Sequence, residues 1–460
     1  MSFIKECAEL FSSRTLVVDD NGNKLLYADI LDAAKKWESE LGSDKQLVFL
    51  LVENTASSLL SYLGLTCAGH AVLLLSAELG SDTLEYLCDC YQPNIVVRPS
   101  TADGSFVISR HETARTGLHP ELSVLLSTSG STGSPKLVRF DGKRLEQNAR
   151  SIVSYLELTS DERPFCHLPF HYSFGLSVVH SHLVVGATLL FTKYSAMEKG
   201  FWTRMDGATS FAGVPFHFEI LKQLRFGRRA PKSIKTLMQA GGKLHPDLVE
   251  FFADLSAENG WRFLVMYGQT EAGPRISWLP HHMVKAKPNS IGLPIPNVTM
   301  SLQSHDGELI MDHDKEGELV IESPSVMLGY ATCSDDLALS DCLEGKLRTG
   351  DLAKRDADGC YYITGRKQRF IKIHGNRVSL DDVESTLKRA GEDCRCVGLD
   401  DQLFIMVTGE NVNVERVKQM ATAAFTFPPR AISVLAIQAW PFTKNEKIDY
   451  GQLLKMAQQG

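Results

Sequence analysis

Short apolar runs recur through most of the chain, at 47–52, 71–75, 95–97, 124–126, 187–191 and 263–266, and polar, helix-patterned stretches separate them. Unbroken apolar runs of this length suit strands covered on both faces, as in parallel sheets. Between two of them, residues 27–41 place Ile30, Ala33, Ala34, Trp37 and Leu41 on one side of a helix. The alternation predicts an α/β fold with layered, largely parallel sheets. No internal repeat or low-complexity tract interrupts it.

The texture changes near the C-terminus. Asp358-Gly359 is a turn signal, a strand at 361–364 follows, and then comes the polar, basic run Gly365-Arg366-Lys367-Gln368-Arg369. Beyond it, strand-like runs at 370–373, 403–407 and 432–437 alternate with helical patterns, the first at 380–389. The expected organisation is a large, multi-sheet α/β domain, 1–365, followed by a small, mobile α+β domain, 366–460.

Composition narrows the classes. A chain of 460 residues exceeds the size at which one core stops growing, and 43% apolar with 22% charged residues is ordinary for a folded protein. A net charge of -7 and the lack of a long basic run argue against nucleic acid and anionic lipid as partners. Lys5, Glu6 and Glu9 break any signal-peptide core in the first residues. Glu53, Asn54 and His70 interrupt the apolar stretch 47–75, which falls short of the ~20 apolar residues of a membrane span. The ten cysteines are scattered, and Cys88/Cys90 and Cys394/Cys396 have the wrong spacing for common zinc or redox motifs. Reduced, structural thiols in a cytoplasmic protein are expected.

Candidate chemistry begins where the strand-like run 122–126 meets Ser127-Thr128-Ser129-Gly130-Ser131-Thr132-Gly133-Ser134-Pro135-Lys136. Gly130 and Gly133 permit positive φ and close backbone approach, so that N–H groups can cradle an anion. Ser129, Ser131 and Thr132 add small donors, and Lys136 adds charge. A Ser/Gly/Pro cluster also reads as a plain surface turn. The spacing is not that of a P-loop, because Lys136 follows Pro135 and no hydroxyl residue comes next.

This loop resembles the signature of the adenylate-forming enzymes: acyl-CoA synthetases, stand-alone adenylation domains and luciferases. The resemblance extends over nearly the whole chain. Leu168-Pro169-Phe170-His171, with Gly175 after it, resembles the segment beside the acyl site. Amino-acid-activating relatives carry Asp where His171 stands, to pair with the α-ammonium. Without that anion a buried ammonium would be unpaired, which implies an acid lacking an α-amino group. Phe170, His171, Tyr172, Phe174 and Phe216 suggest an aromatic-rich pocket for a fatty or aryl acid.

Ala240-Gly241-Gly242-Lys243-Leu244 resembles the loop along adenine, and Tyr267-Gly268-Gln269-Thr270-Glu271 resembles the next family motif. By that resemblance Tyr267 stacks on adenine, Thr270 contacts the α-phosphate and Glu271 ligates Mg2+. Arg348-Thr349-Gly350-Asp351 resembles the ribose motif, with Asp351 accepting from the sugar hydroxyls and Arg366 adding a donor. Gly317-Glu318-Leu319, with Pro324, Gly329 and Tyr330, also fits the pattern and is assigned to the scaffold.

Gln368 occupies the hinge position, where the family usually has Asp or Lys. Gly375 falls in the loop resembling the pantetheine tunnel, and Lys447 aligns with the catalytic lysine, although Glu446 replaces the common Gly. The resemblance implies ATP and Mg2+ as cofactors, a small-molecule carboxylic acid as substrate, and CoA or phosphopantetheine as acceptor, the latter on an acyl carrier protein in trans. A kinase or ATPase would instead release ADP and phosphate, and a non-catalytic module would bind ATP without turnover.

Overall fold

The computed structural model describes residues 1–99, 106–111, 117–127, 136–367, 369–373, 376–399, 401–409, 412–425, 429–443 and 448–459. The chain divides into two compact units. The larger is drawn from Met1–Thr128, Ser134–Met300 and Ile321–Leu347, and the smaller from Ser301–Val320 and Arg348–Gly460.

Two sheets build the larger unit. One has nine strands, in the order Leu293–Pro294, Ser277–Leu279, Arg262–Tyr267, Thr236–Gln239, Ser210–Gly213, Pro164–Cys166, Leu189–Phe191, Thr15–Val18 and Lys24–Leu26. Its six inner strands, from Arg262–Tyr267 to Thr15–Val18, pair in parallel, and antiparallel pairs finish both sides. The second sheet orders Gly329–Ala331, Leu137–Asp141, Leu122–Ser127, Ala71–Ser76, Leu47–Val52, Ile95–Pro99 and Phe106–Arg110. Again the middle is parallel and the edges antiparallel.

The central strands are the apolar runs of the sequence. All six residues of Leu47–Val52 are buried, as double coverage requires. Helices Gly142–Leu156 and Ser173–Val184 pack on one another, the first against the seven-stranded sheet and the second against the nine-stranded one. Ser173–Val184 is accordingly buried nearly all round. Helix Asp29–Leu41 buries Ile30, Ala34, Trp37 and Leu41, the face expected from its periodicity.

Strand Leu137–Asp141 feeds straight into helix Gly142–Leu156. Asp141 serves both elements, because its carboxylate accepts from the Arg144 N–H at 2.8 Å and so caps the helix.

In the smaller unit, one sheet orders Thr299–Gln303, Gly317–Glu322, Lys346–Arg355 and Tyr361–Arg366. A second carries Cys394–Leu399, Gln402–Thr408 and Ile432–Ile437. Alternation along its strands sends Cys394, Cys396, Ile405 and Val407 to one face, where Val383, Leu387, Val417 and Ala421 cover them. Val397 and Met406 face the other way, against Leu453 and Ala457. All ten cysteines are free thiols. Among the described residues no helix is long and apolar enough to cross a membrane.

Candidate functional site

Residues 128–135 connect two paired strands. Ser127 and Leu137 face each other in the register of Leu122–Ser127 and Leu137–Asp141, so exposed Ser127 and Lys136 flank the loop at fixed places. Ser129, Gly130, Ser131, Thr132 and Gly133 lie outside the described residues, as do Gln368, Gly375 and Lys447.

Strand Arg262–Tyr267 ends at Tyr267, and the chain makes a short excursion before pairing back along Ser277–Leu279, Tyr267 opposite Ser277. Gly268 is what allows the excursion: a Cβ there would stand 2.0 Å from the Pro274 carbonyl oxygen. Thr270–Ala272 is one 3-10 turn on this excursion. Thr270 Oγ1 lies 2.9 Å from Ser173 Oγ, and the Glu271 carbonyl accepts from the Met327 N–H at 2.9 Å. The hydroxyl of Tyr330 donates to Glu271 Oε1 at 2.8 Å, while Lys136 Nζ sits 5.3 Å from the centre of the same ring. Burial, and secondarily the Glu271 carboxylate, hold the Tyr330 phenol well above its usual pKa, so it stays a donor.

A hard divalent cation prefers oxygen ligands. The side chains at the turn, the Glu271 carboxylate with the Thr270 and Ser173 hydroxyls, are of that kind. No cluster of three or more His, Cys, Asp or Glu occurs among the described residues.

The Ala240-Gly241-Gly242 loop follows strand Thr236–Gln239. Gly241 has φ +83, which favours glycine, and a Cβ on it would press on Val214 at 2.9 Å and approach the Tyr172 hydroxyl at 3.2 Å. Fully buried Gln239 holds the loop from beneath, donating through Nε2 to the carbonyls of Ala240 at 3.2 Å and Gly242 at 2.8 Å. Tyr172, beside half-buried His171, is also the N-cap residue of helix Ser173–Val184. One helix start therefore lies next to both the glycine loop and the Thr270 turn.

Phe170 is a core residue, 1% exposed, with Tyr62 and Phe191 rings 6.2 and 5.8 Å away. Burying such a ring contributes roughly 1.5–3 kcal/mol. Phe216 is half-buried in the first turn of helix Pro215–Gln223, its ring 6.1 Å from that of His217. His217 in turn meets His167 at 4.5 Å, edge to face, and His167 stacks on Phe211. Burial first, and the neighbouring His217 next, depress the His167 pKa far below the usual imidazole value; its Nε2–H donates to the Ala212 carbonyl at 2.7 Å.

In the smaller unit Asp351 and Arg366 are register partners on adjacent strands. Arg366 Nε donates to Asp351 Oδ1 at 2.9 Å, and Asp351 is 2% exposed.

Residues 4–331 match the model of the AMP-binding enzyme family. The chain belongs to that family. Within it, the chain is 29% identical over 289 residues to a feruloyl-CoA synthase of Amycolatopsis sp, a match covering 61% of this chain and 57% of that protein. It is 26% identical over 273 residues to a long-chain-fatty-acid–CoA ligase of Bacillus subtilis, covering 58% and 48%. The matched region thus spans about half the length of these AMP-binding relatives. The fold matches O-succinylbenzoate coenzyme A synthetase (MenE) from Bacillus subtilis, solved in complex with ATP and magnesium ion. That likeness has a TM-score of 0.80 at 19% identity, over 98% of this chain and 99% of the other. It establishes the adenylate-forming fold, with its large N-terminal and small C-terminal domains.

Sequence reasoning missed four groups in this region: Ser173 on Thr270, Tyr330 on Glu271, Gln239 under the glycine loop, and the His167–His217 pair beside Phe211. Only Tyr330 carried a signal, its place in the family pattern after Gly329, and that signal said nothing of a contact.

Proposed function

We propose that the protein is an AMP-forming acid–thiol ligase: it adenylates a carboxylic acid without an α-amino group, fatty or aryl, and transfers the acyl group to CoA. The observation that carries the reading is the meeting of Lys136 and Glu271, remote in sequence, at Tyr330, the lysine over its ring and the carboxylate at its hydroxyl. A cation and a hard oxygen ligand at a common point are what a polyphosphate with its metal requires.

In the first step the substrate carboxylate attacks the α-phosphorus of ATP, and pyrophosphate leaves. Both partners are anions, so their repulsion must be offset. Mg2+ held by Glu271 would neutralise phosphate charge. Ser127, Ser129, Gly130, Ser131, Thr132, Gly133 and Lys136 bind the phosphates, Thr270 donates to the α-phosphate, and Lys447 stabilises the charge that builds there. Tyr267, Gly268 and the Ala240-Gly241-Gly242 loop hold adenine, while Asp351 and Arg366 hold ribose. His171 and Phe216 border the acyl chain, and the missing carboxylate at position 171 is what excludes α-amino acids.

In the second step a thiolate attacks the acyl carbonyl and AMP leaves. Rotation of the small domain, 366–460, against the large one, 1–365, about Gln368 withdraws Lys447 and brings Gly375 to the thiol arm. Gating of this kind lets one site host two reactions. The names of the relatives, a feruloyl-CoA synthase and a long-chain-fatty-acid–CoA ligase, support both the aryl and the aliphatic class and CoA as acceptor.

A panel of carboxylic acids assayed for acid-dependent pyrophosphate release, then for thioester with CoA or with a phosphopantetheinylated carrier, tests the reading. AMP, pyrophosphate and acyl-CoA are the expected products. ADP and phosphate, or turnover indifferent to every acid, would refute it.

A further inference from the structure

We infer that Tyr330 is a positioning residue that aims the Glu271 carboxylate at the divalent cation accompanying ATP. The inference rests on the ligase reading above and deepens it. Glu271 stands on a three-residue 3-10 turn, whose brevity leaves its side chain little local support. Two contacts supply it from outside. The Met327 N–H holds the Glu271 carbonyl, and the Tyr330 hydroxyl holds Oε1 at 2.8 Å. A carboxylate has two oxygens and about four lone-pair directions. One oxygen can stay with Tyr330 while the other meets a metal.

Tyr330 is itself fixed. Its strand, Gly329–Ala331, pairs with Leu137–Asp141, with Tyr330 opposite Val138. Fully buried Arg139 donates through Nε to the Tyr330 carbonyl and through Nη2 to the Leu328 carbonyl, each at 3.3 Å. The same strand begins just after Lys136, whose ammonium lies over the Tyr330 ring. One anchored ring therefore sets the distance between the phosphate-loop lysine and the carboxylate. Partners that orient metal ligands in this way are worth about tenfold to a hundredfold in metal affinity.

Tyr330→Phe separates the two contacts, because it deletes the hydroxyl and keeps the ring under Lys136. ATP binding is measured by calorimetry in EDTA and across a Mg2+ titration, with the thermal midpoint as a check on folding. The expected result is ATP affinity in EDTA within about twofold of wild type, and a free Mg2+ requirement raised about tenfold to a hundredfold. Tyr330→His, which restores an N–H donor on a flat ring, should bring the requirement back toward wild type. It also stands in if the phenylalanine variant does not fold, since a requirement raised as far as that of Glu271→Gln overturns the inference. An unchanged Mg2+ requirement in Tyr330→Phe overturns it, and so does an equal loss of ATP affinity in EDTA, which marks a structural role. Wild-type protein that binds no ATP at all refutes the ligase reading. Wild type with Mg2+-dependent binding that Tyr330→Phe reproduces refutes this inference alone.

Discussion

Arg366 donates through Nε to the carboxylate of Asp351 at 2.9 Å, across two paired strands of the smaller unit. Asp351 is almost fully buried and Arg366 mostly exposed, so the pair presents a fixed acceptor with a movable donor at its edge. If this acceptor takes the ribose hydroxyls, Asp351→Ala should raise KM for ATP about tenfold to a hundredfold, the equivalent of ~1.5–3 kcal/mol for a hydrogen bond to a charged group. Arg366→Ala should cost less, because solvent screens its side chain. Steady-state kinetics at saturating acid checks both. An unchanged KM in Asp351→Ala would remove the residue from the nucleotide site.

Lys447→Ala should slow adenylation by roughly a hundredfold to a thousandfold, the usual cost of one positioned transition-state donor. Thioester formation from a synthetic acyl-adenylate should survive far better. Pyrophosphate exchange and thioester assays run side by side measure the split, and equal losses would contradict the role assigned to Lys447.

Gln239 supports the Ala240-Gly241-Gly242 loop with two donated hydrogen bonds, while its Oε1 is buried without a hydrogen-bond partner among the described residues. Gln239→Leu deletes the support and the unpaired acceptor together, so stability should change by no more than about 1 kcal/mol as the two effects offset. The loop should loosen nonetheless. KM for ATP rises several-fold while kcat holds, and a fall in kcat alone would speak against a role in nucleotide binding.

Buried imidazoles in the larger unit make its stability depend on acid. Burial is the leading cause that depresses His70 to about 4, His180 to about 3 and His182 to about 4, from an ordinary value of 6.5. The unfolded chain binds protons below pH 6.5 that the folded state refuses, so this stability is complete above 6.5 and is lost as pH falls toward the folded values. Each histidine removes about 1.4 kcal/mol per pH unit in that window, or about 2 kcal/mol by pH 5. Urea midpoints for the larger unit should drop steeply between pH 6.5 and 5. Replacing His180, whose Nε2 lies 2.8 Å from the Tyr62 hydroxyl, with Gln should flatten part of that slope.

Much of the fold was legible because local pattern and covered faces coincide. The runs at 47–52, 370–373 and 432–437 and the helix at 380–389 are elements with those same bounds. Short strands such as Pro164–Cys166 and Ser210–Gly213 were not legible, although both lie inside the nine-stranded sheet. Three or four residues give no readable period. The antiparallel edges of both sheets escaped for a different reason, since strand direction follows from connections rather than from composition.

Local sequence pattern sufficed for the α/β layering and for glycines at which loops bend, because each depends on residues within a few positions of one another. Tertiary structure alone decided that Tyr330 holds Glu271 and shares its ring with Lys136, that Ser173 meets Thr270, and that Phe170 turns into the core. Those contacts depend on strand register and helix packing. A shift of one residue along Leu137–Asp141 would send Tyr330 to the other face of its sheet without altering any local pattern.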